Sequence, residues 1–130
     1  MPTIKSIEQA RAKFAWTCTS KRHESIVGKI PTYIKTNGLL NTMAFLYSKE
    51  SEGRGEALDD ICKWLIGNVP NGQDSYPLID KSQLSGQGSI REQVLDYLLD
   101  RSKSDARFLI QCTAEVLALF NWLRRFAKSE

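Results

Sequence analysis

Apolar residues recur every three or four positions along most of the chain, the spacing of amphipathic helices. Nowhere do they alternate one by one between turn signals as a half-buried strand requires. Ile4, Ile7, Ala10, Phe14 and Cys18 form the first such stripe, separated by Lys and Arg. Ser6 with Gln9 is a candidate capping box for that helix, and Thr3 an equal candidate for its N-cap. The apolar signal lapses at Ser20 to Ser25, read either as a polar stretch of one long helix or as a break between two. Ile26, Val27, Ile30, Tyr33 and Ile34 then resume it, with Pro31 inside the pattern predicting a kink. Thr36-Asn37-Gly38 predicts a sharp corner, because Asn-Gly tolerates the positive φ of a helix end. Leu39, Leu40, Met43, Leu46 and Tyr47 carry a third helix beyond it, with Phe45 on its flank.

Leu58, Ile61, Cys62, Leu65 and Ile66 lie at i, i+3, i+4, i+7 and i+8, the strongest short helical signature present, stopped by Gly67-Asn68 and Pro70. From residue 69 to 88 the chain is rich in Gly, Pro, Asn, Ser and Gln, with Tyr76, Leu78, Ile79 and Leu84 as its apolar anchors. A stretch of this length without regular pattern is expected to be a long, mobile surface loop. Ser89 with Glu92 is a clear capping box opening a helix whose core face is Ile90, Val94, Leu95, Leu98 and Leu99. After a turn at residues 101–104 the last segment places Leu109, Cys112, Val116, Leu119, Leu123 and Phe126 in a heptad-like seam, widened by Phe108, Phe120 and Trp122. The fold class predicted is all-α, a helical bundle of about five to seven helices.

At 130 residues the chain fits one domain, 1–130, with enough apolar residues for a core that needs no staples. No apolar run approaches the ~20 residues that span a bilayer, and Met1 to Lys5 lack the apolar stretch of a signal peptide, so a cytoplasmic address is expected. Cys18, Cys62 and Cys112 are odd in number, far apart and on apolar helix faces; they read as small hydrophobes, with neither a disulfide framework nor a zinc site.

The net charge of +3 is unevenly spread. Residues 1–36 carry seven bases and two acids, residues 37–100 five bases and ten acids, and residues 101–130 six bases and three acids. Two basic ends flank an acidic middle. Packed side by side, the ends would present one positive face to a polyanion, with Lys13, Lys21, Arg22, Lys29 and Lys35 from the first part and Arg124, Arg125 and Lys128 from the last turn. The plainer account is that such residues solvate helix faces and, near the C-terminus of a helix, offset its dipole. Both roles can coexist.

Little points to catalysis. His23, the one histidine, lies in a charged stretch with no oriented partner identified, and reads as a solvated residue. Asp96 and Asp100 share a helix face, but without a histidine they, Asp59 and Asp60 read as exposed acids. Gly53-Arg54-Gly55-Glu56 lacks the preceding strand and the Gly-Lys-Ser/Thr ending of a phosphate loop. The aromatics, including Trp16, Trp64 and Trp122, fall in helical segments and read as core more than as stacking platforms. Neither an enzyme nor a cofactor is expected.

Three segments together resemble the small subunit of the Cmr-type (type III-B) CRISPR effector complex. These are the basic first helix with small residues at Ala10 and Ala12, the corner Ile30-Pro31 through Ile34-Lys35-Thr36-Asn37-Gly38-Leu39 to Met43-Ala44-Phe45-Leu46, and the closing Ala114-Glu115-Val116-Leu117-Ala118 with Trp122-Leu123-Arg124-Arg125-Phe126-Ala127. The resemblance implies a small, all-helical, non-catalytic structural subunit in antiviral defence. It implies as partners the crRNA and target RNA, further copies of itself and the other Cmr-type subunits, especially the backbone subunit, with no membrane. RNA cleavage would belong to other subunits. The basic face would follow phosphates without reading sequence. The family carries no catalytic motif to transfer, so Lys13, Lys21, Arg22, Lys29, Lys35, Arg124, Arg125 and Lys128 are chosen by charge. Two other functions are weighed: a helical interaction adaptor without nucleic-acid contact, and a helix-turn-helix DNA binder turning at Asn37-Gly38. Against the latter, the next helix offers Leu39, Leu40, Met43, Phe45, Leu46 and Tyr47 but no base-reading Arg or Gln.

Overall fold

In a computed structural model describing residues 6–19, 24–48 and 53–127, the chain forms six α-helices and one short 3₁₀ turn, with no strand among the described residues. They are α1 (Ile7–Thr19), α2 (Glu24–Asn37), α3 (Leu39–Ser48), α4 (Arg54–Ile66), α5 (Ile90–Leu99) and α6 (Ala106–Phe126), with the 3₁₀ turn at Lys81–Gln83. The all-α expectation holds. The question of a break at Ser20 to Ser25 falls mostly on residues 20–23, outside the described residues, as do His23, Lys21, Arg22 and Lys128.

α6 is the axis of the bundle. Its 21 residues extend ~30 Å at 1.5 Å per residue and touch α1, α2, α3 and α4. The seam read from sequence is its core stripe: Cys112, Val116, Leu119 and Leu123 are buried and Leu109 and Phe126 half-buried at the two ends. Phe120, off the seam, is buried too, because neighbours close on α6 from more than one side. All five residues of the i, i+3, i+4 pattern in α4 are buried, and the Trp64 ring beside them lies 5.3 Å from that of Phe14 in α1.

Local chemistry sets the helix ends. Ser6 Oγ accepts from the Gln9 N–H at 3.2 Å, one half of a capping box at α1. α2 runs through Pro31 to Asn37, and Gly38, at φ 89°, makes the corner: its N–H donates to the Ile34 carbonyl and its own carbonyl starts α3 by accepting from Thr42. At the end of α4, Gly67 adopts φ 76° and Asn68 donates back to the Lys63 carbonyl at 2.8 Å. The capping box at α5 is complete, with Ser89 Oγ accepting from the Glu92 N–H and Glu92 Oε1 accepting from the Ser89 N–H. That Ser89 N–H and the Tyr47 hydroxyl hold the Glu92 carboxyl below its ordinary range. Ser89→Ala is expected to cost about 1 kcal/mol; urea unfolding followed by circular dichroism checks it.

The segment 69–88 is fastened at several points. Ile79 is buried, the N–H groups of Leu78 and Ile79 both reach the Leu65 carbonyl, Gln73 Nε2 donates to Thr17 Oγ1 at 2.8 Å, and Gly86 donates to Gln93. The ties to Leu65 and Thr17 cross to α4 and α1, so the segment lies on those helices.

The thiols fit their apolar surroundings. Cys62 and Cys112 are buried and burial pushes both up to about 12, while Cys18 is half-buried. Thiolate is the reactive form. A thiol reagent at pH 8 is therefore expected to modify at most one cysteine in the native protein and three after denaturation.

Candidate nucleic-acid interface

Five of the eight basic residues chosen from sequence lie among the described residues, and all five are exposed: Lys13 on α1, Lys29 and Lys35 on α2, Arg124 and Arg125 in the last turn of α6. Helical periodicity puts them there. Lys13 precedes buried Phe14, Lys29 precedes buried Ile30, and Arg124 and Arg125 follow buried Leu123 on the turn away from the core. α6 packs against both α1 and α2, so one helix joins all three carriers. Lys35, Arg124 and Arg125 also stand in the last turns of their helices, where positive charge offsets the dipole.

Arg11 belongs to the same basic stretch but is committed elsewhere. Its Nε and Nη2 donate to the two carboxylate oxygens of Glu115 at 2.5 and 2.8 Å, and Trp64 Nε1 donates to Glu115 Oε2 at 2.8 Å. One buried acid on α6 thus ties α1 and α4. Burial alone would raise the Glu115 carboxyl, but the Arg11 and Trp64 hydrogen bonds outweigh it and hold it below the ordinary range. Another ion pair, Arg91 with Asp59 at 2.6 Å, links α5 to α4. Neither of these pairs uses any of the five exposed bases.

Beside Lys29 the structure adds a cation that sequence reading does not select. Arg54, from the first turn of α4, lies over the Phe45 ring at 5.3 Å and, with Lys29, Tyr33, Phe45 and apolar residues of α2 and α3, lines a cleft of about 90 Å³. In the sequence Arg54 stands out only as part of a glycine-rich fragment; in the fold Gly53 takes φ 81° at the start of α4 and Gly55 is buried within it. Arg54 is 25 residues from Lys29, so no local spacing signals their meeting.

Several residue readings need correction. Ile90 and Leu99, expected on the core face of α5, are 42% and 62% exposed: they are the first and last residues of that helix, and only Val94 and Leu98 between them are buried. Trp16, expected in the core, is 60% exposed, whereas Trp64 is buried and Trp122 half-buried. α1 turns Phe14 and Ala15 inward, which leaves the next position outside. Asp60, expected to be an exposed acid, is buried in α4. Asp59 pairs with Arg91, and Asp100 accepts from Ser102, so these acids have structural partners. No group of three or more His, Cys, Asp or Glu placed to hold a metal ion occurs among the described residues. No helix there is long and apolar enough to cross a membrane.

Beyond the corner at Gly38, α3 buries Leu39, Thr42, Met43 and Leu46, and Asn41 Nδ2 donates to the Asn37 carbonyl. A family model described as CRISPR-associated protein (Cas_Cmr5) matches residues 5–130. The chain belongs to this family. The match takes in all three segments that carry the resemblance and all eight chosen basic residues. As a Cas_Cmr5 protein, the chain is a subunit of a Cmr-type CRISPR complex and works beside other subunits.

Proposed function

We propose that this Cas_Cmr5 protein is the non-catalytic small subunit of a type III-B effector. In this reading it acts in the cytoplasm as a single helical unit spanning 1–130. Several copies stack along the crRNA and target RNA beside the backbone subunit. Lys13, Lys21, Arg22, Lys29, Lys35, Arg124, Arg125 and Lys128 contact phosphates, and cleavage belongs to other subunits. The observation that carries the RNA contact is the exposure of five of these side chains on three helices joined through α6, outside the Arg11–Glu115 and Arg91–Asp59 ion pairs. Exposed cations of this kind bind a phosphate chain by releasing its counterions, without regard to sequence.

One feature supports protein contact on another face. An open groove of about 500 Å³ is lined by Gly38, Leu40, Ala44, Leu99, Leu109 and Thr113, and within it Leu99 stands 62% exposed; Ile110, next in sequence to Leu109, is 69% exposed. An apolar surface of that type suits a protein partner. Both surfaces fit a subunit lodged between RNA and protein; an adaptor without nucleic-acid contact would use only the second.

Purification from native cells separates the two. The account expects the protein to travel with larger subunits and with RNA, and the RNA to be shielded from nuclease over defined lengths. Travel with protein alone, unchanged by nuclease, would favour the adaptor.

A further inference from the structure

We propose that the ring cluster of Trp16, Trp122 and Phe126 is a stacking ledge for an unpaired nucleobase of single-stranded RNA. The inference rests on the RNA contact proposed above and adds a second kind of contact beside three of its cations, Lys13, Arg124 and Arg125. Phe126 meets Trp16 edge-to-face, with ring centroids 5.2 Å apart and planes at 80°, and lies 5.6 Å from Trp122 at 32°. In an edge-to-face pair Phe126 covers at most one face of the indole, and Trp16 as a whole remains 60% exposed. The ring is therefore braced by a neighbour and open to a partner.

Charge complementarity selects the partner. Residues 9–19 and 116–127, which supply the three rings, contain no acid, and they carry exposed Lys13, Arg124 and Arg125. Lys13 is one helical turn before Trp16, and Arg125 adjoins Phe126 and stands one turn after Trp122. The nearest carboxylate on α6, Glu115, is buried and held by Arg11. Aromatic rings beside cations bind single strands, the rings taking bases and the cations phosphates, with little sequence preference. The groove at Leu99 and Leu109, aliphatic in contrast, offers no ring to a base.

Target-RNA capture by the assembled complex tests this, comparing wild type, Trp16→Leu, Trp16→Phe and the quadruple charge reversal Lys29→Glu, Lys35→Glu, Arg124→Glu, Arg125→Glu. Trp16→Leu keeps an apolar residue but no ring and is expected to weaken capture about tenfold, the worth of one stacked base; Trp16→Phe restores most of it. The difference between wild type and Trp16→Leu should vanish on a target made abasic only at its unpaired positions, which keeps its phosphates and its pairing. Capture by Trp16→Leu equal to wild type, while the charge reversal fails, overturns the ledge and leaves the phosphate contact standing. Normal capture by both overturns both. Failure of Trp16→Leu to enter the complex, with its helical circular dichroism intact, makes the cluster a protein-docking surface and overturns the ledge.

Discussion

Replacing Glu115 by alanine is expected to destabilise the fold by about 3 kcal/mol, more than any exposed substitution. The carboxylate is 8% exposed and satisfies two partners from two other helices, Arg11 of α1 and Trp64 of α4. Its removal strands a buried indole N–H and leaves a half-buried guanidinium without its acid. Arg11 retains some solvent access, 20% for its side chain, which keeps the cost below that of a fully buried broken pair. A loss of this size lowers Tm by about 10 °C in a domain of this length. Arg11→Met combined with Glu115→Leu should recover part of it, since an apolar pair leaves only the Trp64 N–H unpaired.

The same carboxylate sets an acid limit. Its folded pKa is depressed below the 4.5 of a free glutamate, so its contribution is fully present above that value and fades as pH falls through the folded pKa. Wild-type Tm should therefore drop on acidification below about pH 4, and the gap to Glu115→Ala should narrow over that window. A gap constant with pH would mean that the carboxylate has the same pKa in the folded and unfolded states.

Glu115 also marks what a sequence can and cannot show. The seam of α6 and the capping box at Ser89 rest on spacings of three and four residues, and both are legible. Glu115 sits between Cys112 and Val116, two seam positions, and its burial depends on partners 104 and 51 residues away, which no local pattern announces. Trp16 escapes sequence reading for a related reason: its type favours the core, while its position on α1, just beyond Phe14 and Ala15, turns it outward. Arg54 and Asp60 show the same limit, because which face of a helix is covered depends on how the helices are arranged. The basic residues are the easy part of the candidate site, since exposed lysine and arginine are the rule. Their grouping on helices joined by α6 requires the fold.

The second large effect concerns RNA. In the quadruple reversal of Lys29, Lys35, Arg124 and Arg125, each exposed cation becomes an anion, so its attraction for a nearby phosphate turns to repulsion. None of the four belongs to the Arg11–Glu115 or Arg91–Asp59 pair that ties helices together, so the fold and helical circular dichroism should be retained. Each phosphate of a single strand that is no longer neutralised lowers the slope of log affinity against log salt by ~0.7, and the effect repeats in every copy. Affinity for target RNA at low salt is expected to fall well over tenfold, with a flatter salt dependence.

That salt titration of target-RNA capture, run on complexes carrying wild-type or charge-reversed protein and matched for subunit content, tests the central claim most directly. The account predicts weaker capture and a shallower slope for the reversed protein. Equal affinity and equal slope in a fully assembled complex would contradict it.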